Sequence, residues 1–175
     1  LVGIQWLMRG LSDYGRADLA LKIATNRDYP SWGYMIENGA TTIWELWNGN
    51  TAEPSMNSGN HVMLLGDLIV WYYEYLAGIK NAEGSAGFEK IELKPWLISG
   101  LEFVDASYKS VKGLIKSSWV KKGNTFEWGI TIPANTTAVV YIPANGEDKI
   151  KINGEPSVSM VENTQFISYE KGYLV

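Results

Sequence analysis

The feature that most constrains this chain is a change in apolar spacing, from a period of about 3.6 to a period of about 2, across the connection Lys80–Gly87. Before it, Ile4, Leu7, Met8 and Leu11 recur at helical spacing, and Leu19, Ala20, Ile23 and Ala24 share one face of a second helix over 17–24. Pro30 and Gly33 mark 28–33 as a loop, with Tyr34–Asn38 as one further turn. Thr41–Trp47 fits a helix start or a short extended piece equally well, and a polar loop follows over 48–59. His61–Leu76 reads as a strong helix closed by Gly78. Trp71, Tyr72, Tyr73 and Tyr75 then form its core face.

After the connection, polar and apolar residues alternate in short runs: 89–93, 101–109, 113–121, 125–132, 137–142 and 149–152. Lys122-Gly123-Asn124, Ala144-Asn145-Gly146 and Asn153-Gly154 punctuate them as turns. Short strands at this spacing predict an antiparallel β-sandwich. The Asn, Gly and Ser residues of the connection make it the candidate domain boundary, dividing 1–82 from 83–175.

Composition removes several function classes. With 46% hydrophobic and 13% aromatic residues, the chain has enough apolar material for a sizeable core. A net charge of −4 without a basic stripe argues against a nucleic-acid partner, because phosphate binding needs clustered Lys and Arg. Zero Cys and one His exclude disulfides, thiolate nucleophiles and a His-rich metal site. No apolar run is long enough to span a bilayer, so no membrane partner is expected. Leu1–Met8 already reads as helix interior and Gly172–Val175 as mid-strand, so the chain is expected to be a fragment.

Two segments carry candidate chemistry. In Gly39-Ala40-Thr41-Thr42-Ile43-Trp44-Glu45-Leu46-Trp47, one carboxylate sits among indoles. Indole faces stack on the C–H faces of sugars, and a carboxylate beside them can activate water. The competing reading has Trp44 and Trp47 in the core and Glu45 facing solvent. In Pro54-Ser55-Met56-Asn57-Ser58-Gly59-Asn60-His61, Ser58 or Asn60 is a candidate cap of the following helix. His61 is either a structural hydrogen bonder or a functional group at the loop mouth.

Together with Leu76-Ala77-Gly78-Ile79 and Phe88-Glu89-Lys90-Ile91-Glu92-Leu93-Lys94-Pro95, these segments resemble the bacterial α-L-rhamnosidases, inverting glycoside hydrolases with an (α/α)6 catalytic barrel. The resemblance implies a mixed fold, in which the C-terminal helices of the barrel precede an antiparallel β-sandwich. It matches Glu45 to the general base, His61 to a rhamnose-contacting histidine, and Trp44 and Trp47 to the border of the sugar site. It implies hydrolysis of terminal α-L-rhamnosides with inversion, no cofactor, and a rhamnose-containing glycan or glycoside as partner. The general acid has no candidate here and is expected in a missing N-terminal part of the same polypeptide. One departure is Leu65, where the family often has Gly; here Gly66 follows.

Two other readings compete. A non-catalytic carbohydrate-binding sandwich would expose Trp96, Trp119 and Trp128 on one sheet face. The other is a different (α/α)-barrel enzyme, such as a lyase or another glycosidase; a lyase would need a Tyr or Lys base and charge neutralisation of a uronate, and the first half has no Arg/Lys cluster around Glu45.

Overall fold

The computed structural model describes residues 3–144, 150–155, 161–170 and 172–175. The expected turn at Asn145-Gly146 and the start of the strand expected over 149–152 lie outside them. The chain divides into two compact units: Leu1–Tyr73 with Ile98–Gly100, and Glu74–Leu97 with Leu101–Val175.

The first unit is helical: α1 (Ile4–Asp13), α2 (Ala17–Thr25), α3 (Trp32–Glu37) and α4 (Met63–Trp71). On α1 the inward row is Ile4, Met8 and Ser12, while Leu7, expected to face inward, is 47% exposed. Ser12 can sit in this core because both sides of its hydroxyl are used. It donates to the Met8 carbonyl (2.9 Å) and accepts from Trp71 Nε1 of α4 (2.8 Å).

Two helix starts differ from the sequence expectation. α3 begins at Trp32, with Gly33 inside its first turn, and the Ser31 hydroxyl caps it by accepting from the Tyr34 N–H (2.9 Å). Gly33 is there for space, since a Cβ would stand 2.4 Å from the Asn26 carbonyl oxygen. α4 begins at Met63 rather than His61, with Val62 at its N-cap and no side-chain cap, so neither Ser58 nor Asn60 caps it. It runs into a π-helical turn, Tyr72–Leu76, and Gly78 (φ +74°) ends the stretch. Of the aromatic run expected as core, Trp71 and Tyr75 are buried, Tyr73 is half-buried and Tyr72 is exposed.

The second unit is built on β-strands: β1 (Ile79–Asn81), β2 (Lys90–Leu93), β3 (Phe103–Ser110), β4 (Gly113–Lys122), β5 (Thr125–Thr131), β6 (Thr137–Val140), β7 (Ile142–Pro143), β8 (Tyr169–Glu170) and β9 (Tyr173–Leu174). β3, β4 and β5 form an antiparallel meander, and its second turn holds Gly123 at φ +58°. β1 pairs antiparallel with β2, so pairing begins inside the stretch expected to be a connection. The β2–β6 pairing is parallel, a departure from a purely antiparallel layout. The whole β3–β5 meander lies between β2 and β6 in the chain and supplies the long crossover that parallel pairing requires. β7, β9 and β8 make a small antiparallel sheet. Asn153 (φ +53°) and Gly154 (φ +87°) form the expected turn, closing an Ile152–Glu155 bridge.

The core of this unit centres on Ile79, Ile91, Leu93, Ile115 and Trp119. Trp119 Nε1 donates to the Leu76 carbonyl (2.9 Å). Ser117 Oγ donates to the Ala77 carbonyl (2.6 Å) and accepts from Trp128 Nε1 (2.9 Å). Lys94 sits over the Tyr141 ring at 4.2 Å, a cation–π contact beside the C-terminal sheet. Among the described residues, no helix is long and apolar enough to cross a membrane.

Candidate functional site

The segment 41–47 is neither helix nor strand. Its shape comes from the returning segment 57–61, to which it is bonded at successive points. The His61 N–H donates to the Ile43 carbonyl (2.8 Å), and the Glu45 N–H to the Ser58 carbonyl (2.9 Å). The Leu46 N–H donates to Asn57 Oδ1 (3.1 Å), and the Thr42 hydroxyl donates to the Gly59 carbonyl. Ile43, buried at the centre of the segment, anchors it in the helical unit. The chain reverses between the two segments through bonds from the Thr51 and Ala52 amides to the Asn48 carbonyl (2.8 and 2.9 Å) and a 3-10 turn at Pro54–Met56. Asn50 ties the reversal to Asn38, just past α3 (3.1 Å).

This exchange brings Glu45 and His61 together. Glu45 Oε2 accepts from the Ser58 N–H (3.0 Å), and His61 Nδ1 stands 3.8 Å from the same oxygen. That separation is longer than a hydrogen bond and becomes an ion pair when the imidazole is protonated. The Glu45 side chain is 42% exposed and that of His61 27%, so both are open to a ligand while their backbones are held.

The two indoles are positioned by other contacts. Trp47 is half-buried and meets Trp32 edge-on, with ring centroids 5.7 Å apart. Trp44 is half-buried and lies against Gly49, where a Cβ would fall 2.7 Å from its ring. The packing reading therefore holds in part: both indoles are half-buried rather than in the core, and Glu45 between them is exposed, as that reading expects. The Ser58 N–H, which bonds the Glu45 carboxylate, and Asn57 Oδ1, which bonds the Leu46 N–H, were not expected in the site. The sequence signal was the polar run before His61, read there as helix capping and as the surroundings of His61. Among the described residues, no group of three or more His, Asp or Glu side chains is arranged to hold a metal ion.

Trp119 is 1% exposed and its indole nitrogen is used internally. Trp128 is half-buried and bonded to Ser117, and Trp96 is half-buried against Tyr75. These three indoles do not make the exposed platform that a sugar-binding sandwich would present.

The class follows from the two units taken in order. Residues 1–76 match the family model described as the bacterial alpha-L-rhamnosidase 6 hairpin glycosidase domain. Residues 78–156 match the bacterial alpha-L-rhamnosidase C-terminal domain. The chain belongs to the bacterial α-L-rhamnosidase family, which sets aside the lyase reading. An α-L-rhamnosidase of Streptomyces avermitilis is 34% identical over 155 residues, which is 86% of this chain and 15% of that protein. The crystal structure of a Streptomyces avermitilis α-L-rhamnosidase complexed with L-rhamnose matches 98% of this chain and 16% of that one, with a TM-score of 0.84 and 31% identity. The structure of the α-L-rhamnosidase from Dictyoglumus thermophilum matches 99% of this chain and 19% of that one, with a TM-score of 0.83 and 32% identity. The chain thus spans under a fifth of the length of these relatives.

Proposed function

We propose that the polypeptide carrying this chain hydrolyses terminal α-L-rhamnosides with inversion, and that Glu45 is the general base. The observation that carries this reading is the approach of His61 Nδ1 to the pinned Glu45 carboxylate (3.8 Å) in a chain of the α-L-rhamnosidase family. Glu45 takes a proton from a water as that water attacks the anomeric carbon. The bond from that carbon to the leaving oxygen breaks, and the leaving oxygen takes a proton from an acid supplied by another part of the polypeptide. An inverting pair needs its carboxyls about 6.5–9.5 Å apart, which leaves room for the water. With Nδ1 turned to Glu45, His61 keeps Nε2 for a sugar hydroxyl. Trp44 and Trp47 border the sugar, and Trp32 steadies Trp47 edge-on.

The helical unit is, on this reading, the C-terminal part of an (α/α)6 barrel, and the strands form a C-terminal β-sandwich domain. The pairing of Ile79–Asn81 with β2 supports a boundary before Ile79 rather than after residue 82. The test is made on the full-length protein with an aryl α-L-rhamnoside. Glu45→Gln should lower kcat by about 10²–10⁴-fold with little change in KM, because Gln keeps the shape but cannot take the proton. Proton NMR of the first product formed by the wild type should show β-L-rhamnose. Retention of configuration would remove the inverting assignment.

A further inference from the structure

We propose that Asn57 is a positioning residue for the general base, and that with the Ser58 N–H it presents Oε1 of Glu45 as the oxygen that takes the proton. The proposal rests on the reading of Glu45 as the base. Its ground is a reciprocal exchange between the two segments. Glu45 Oε2 accepts from the N–H of the residue after Asn57 (Ser58, 3.0 Å). Asn57 Oδ1 accepts from the N–H of the residue after Glu45 (Leu46, 3.1 Å). Each side chain thus caps the backbone of the opposite segment, and the Glu45 N–H to Ser58 carbonyl bond (2.9 Å) closes the exchange.

This leaves the two carboxylate oxygens unequal. Oε2 holds the Ser58 N–H and faces His61 Nδ1. Among the described residues, Oε1 has no hydrogen-bond partner, in a side chain 42% exposed. A base with one oxygen held and the other open needs no search to meet its water, and misplacement by about 1 Å can cost about 10²-fold in rate. The amide of Asn57 suits the task because it accepts the Leu46 N–H without adding a second negative charge beside the base. Losing it frees the 45–46 peptide, and with it the direction in which Oε1 points.

The test compares Asn57→Leu, which cannot accept, with Asn57→Asp, which can, both in the full-length protein on an aryl α-L-rhamnoside. Asn57→Leu should lose about 10–100-fold in kcat with KM within about twofold. Asn57→Asp should recover to within about threefold on the pH plateau. A structural role alone would lower thermal stability without splitting kcat from KM. Full activity of Asn57→Leu beside an inactive Glu45→Gln would overturn the role of Asn57 and leave the base in place. Near wild-type turnover by Glu45→Gln would remove the base and this proposal with it. If Asn57→Leu does not fold, Asn57→Ala takes its place: a kcat loss of about 10-fold or more at unchanged KM supports the positioning role, and an unchanged kcat overturns it.

Discussion

His61 Nδ1 and Glu45 Oε2 lie 3.8 Å apart at opposite ends of a polar loop, and the backbone bonds that bring them there belong to the loop's two edges. The His61 amide is held by Ile43, two residues before Glu45, and the Glu45 amide by Ser58, three residues before His61. The pair is therefore preorganised by main chain, which also holds one oxygen of Glu45 and leaves the other open.

This arrangement predicts different kinetics for the two side chains in the full-length protein. His61→Ala should raise KM several-fold as well as lower kcat, because it removes a contact made in the ground state as well as in the transition state. Steady-state kinetics on an aryl α-L-rhamnoside check this. An unchanged KM would assign His61 to Glu45 rather than to the sugar.

Azide probes the space beside the base. In Glu45→Ala of the full-length protein, added azide should restore turnover and form β-L-rhamnosyl azide. The anion enters where the carboxylate stood and attacks without giving up a proton. NMR identification of the α-azide instead would contradict attack from the face opposite the leaving group.

Ser12→Ala should destabilise the protein by about 1–3 kcal/mol, because the buried indole N–H of Trp71 loses its acceptor. Chemical denaturation followed by tryptophan fluorescence measures this. Loss of the Ser12 donation to the Met8 carbonyl contributes less, since that oxygen is free to keep its helical bond.

Two glycines of the second unit form a matched pair. Both sit at positive φ, Gly78 at +74° and Gly84 at +71°. A Cβ at Gly84 meets nothing within 4 Å, whereas at Gly78 it would stand 2.3 Å from the Lys94 carbonyl carbon. Gly84→Ala should cost about 1–2 kcal/mol, the left-handed penalty alone. Gly78→Ala should cost more than about 3 kcal/mol, because backbone must also move. Thermal unfolding of the two variants side by side separates strain from overlap.

Much of the strand content could be read from the chain. β4 and β5 follow the alternation closely, because a meander with one buried face repeats its pattern every second residue. β1 was missed because three residues are too few to show a period, and it exists only by pairing with β2. The parallel β2–β6 pairing was equally hidden, because alternation tells which face a residue takes and not which neighbour it meets. On the helical side, Gly33 read as a breaker, although it is a helical residue placed where the Asn26 carbonyl leaves no room for a side chain.

The sequence by itself determined the candidate residues, Glu45 and His61 with the indoles around them, the change of period near residue 80, and the family. Tertiary structure decided how those residues meet. It left 41–47 without regular structure, held it by bonds to 57–61, and made the two oxygens of Glu45 unequal. The physical reason is that period and propensity describe a residue's relation to its own segment. The environment of a carboxylate is set instead by amides elsewhere in the chain, such as that of Ser58, and their positions are known only once the loop has closed.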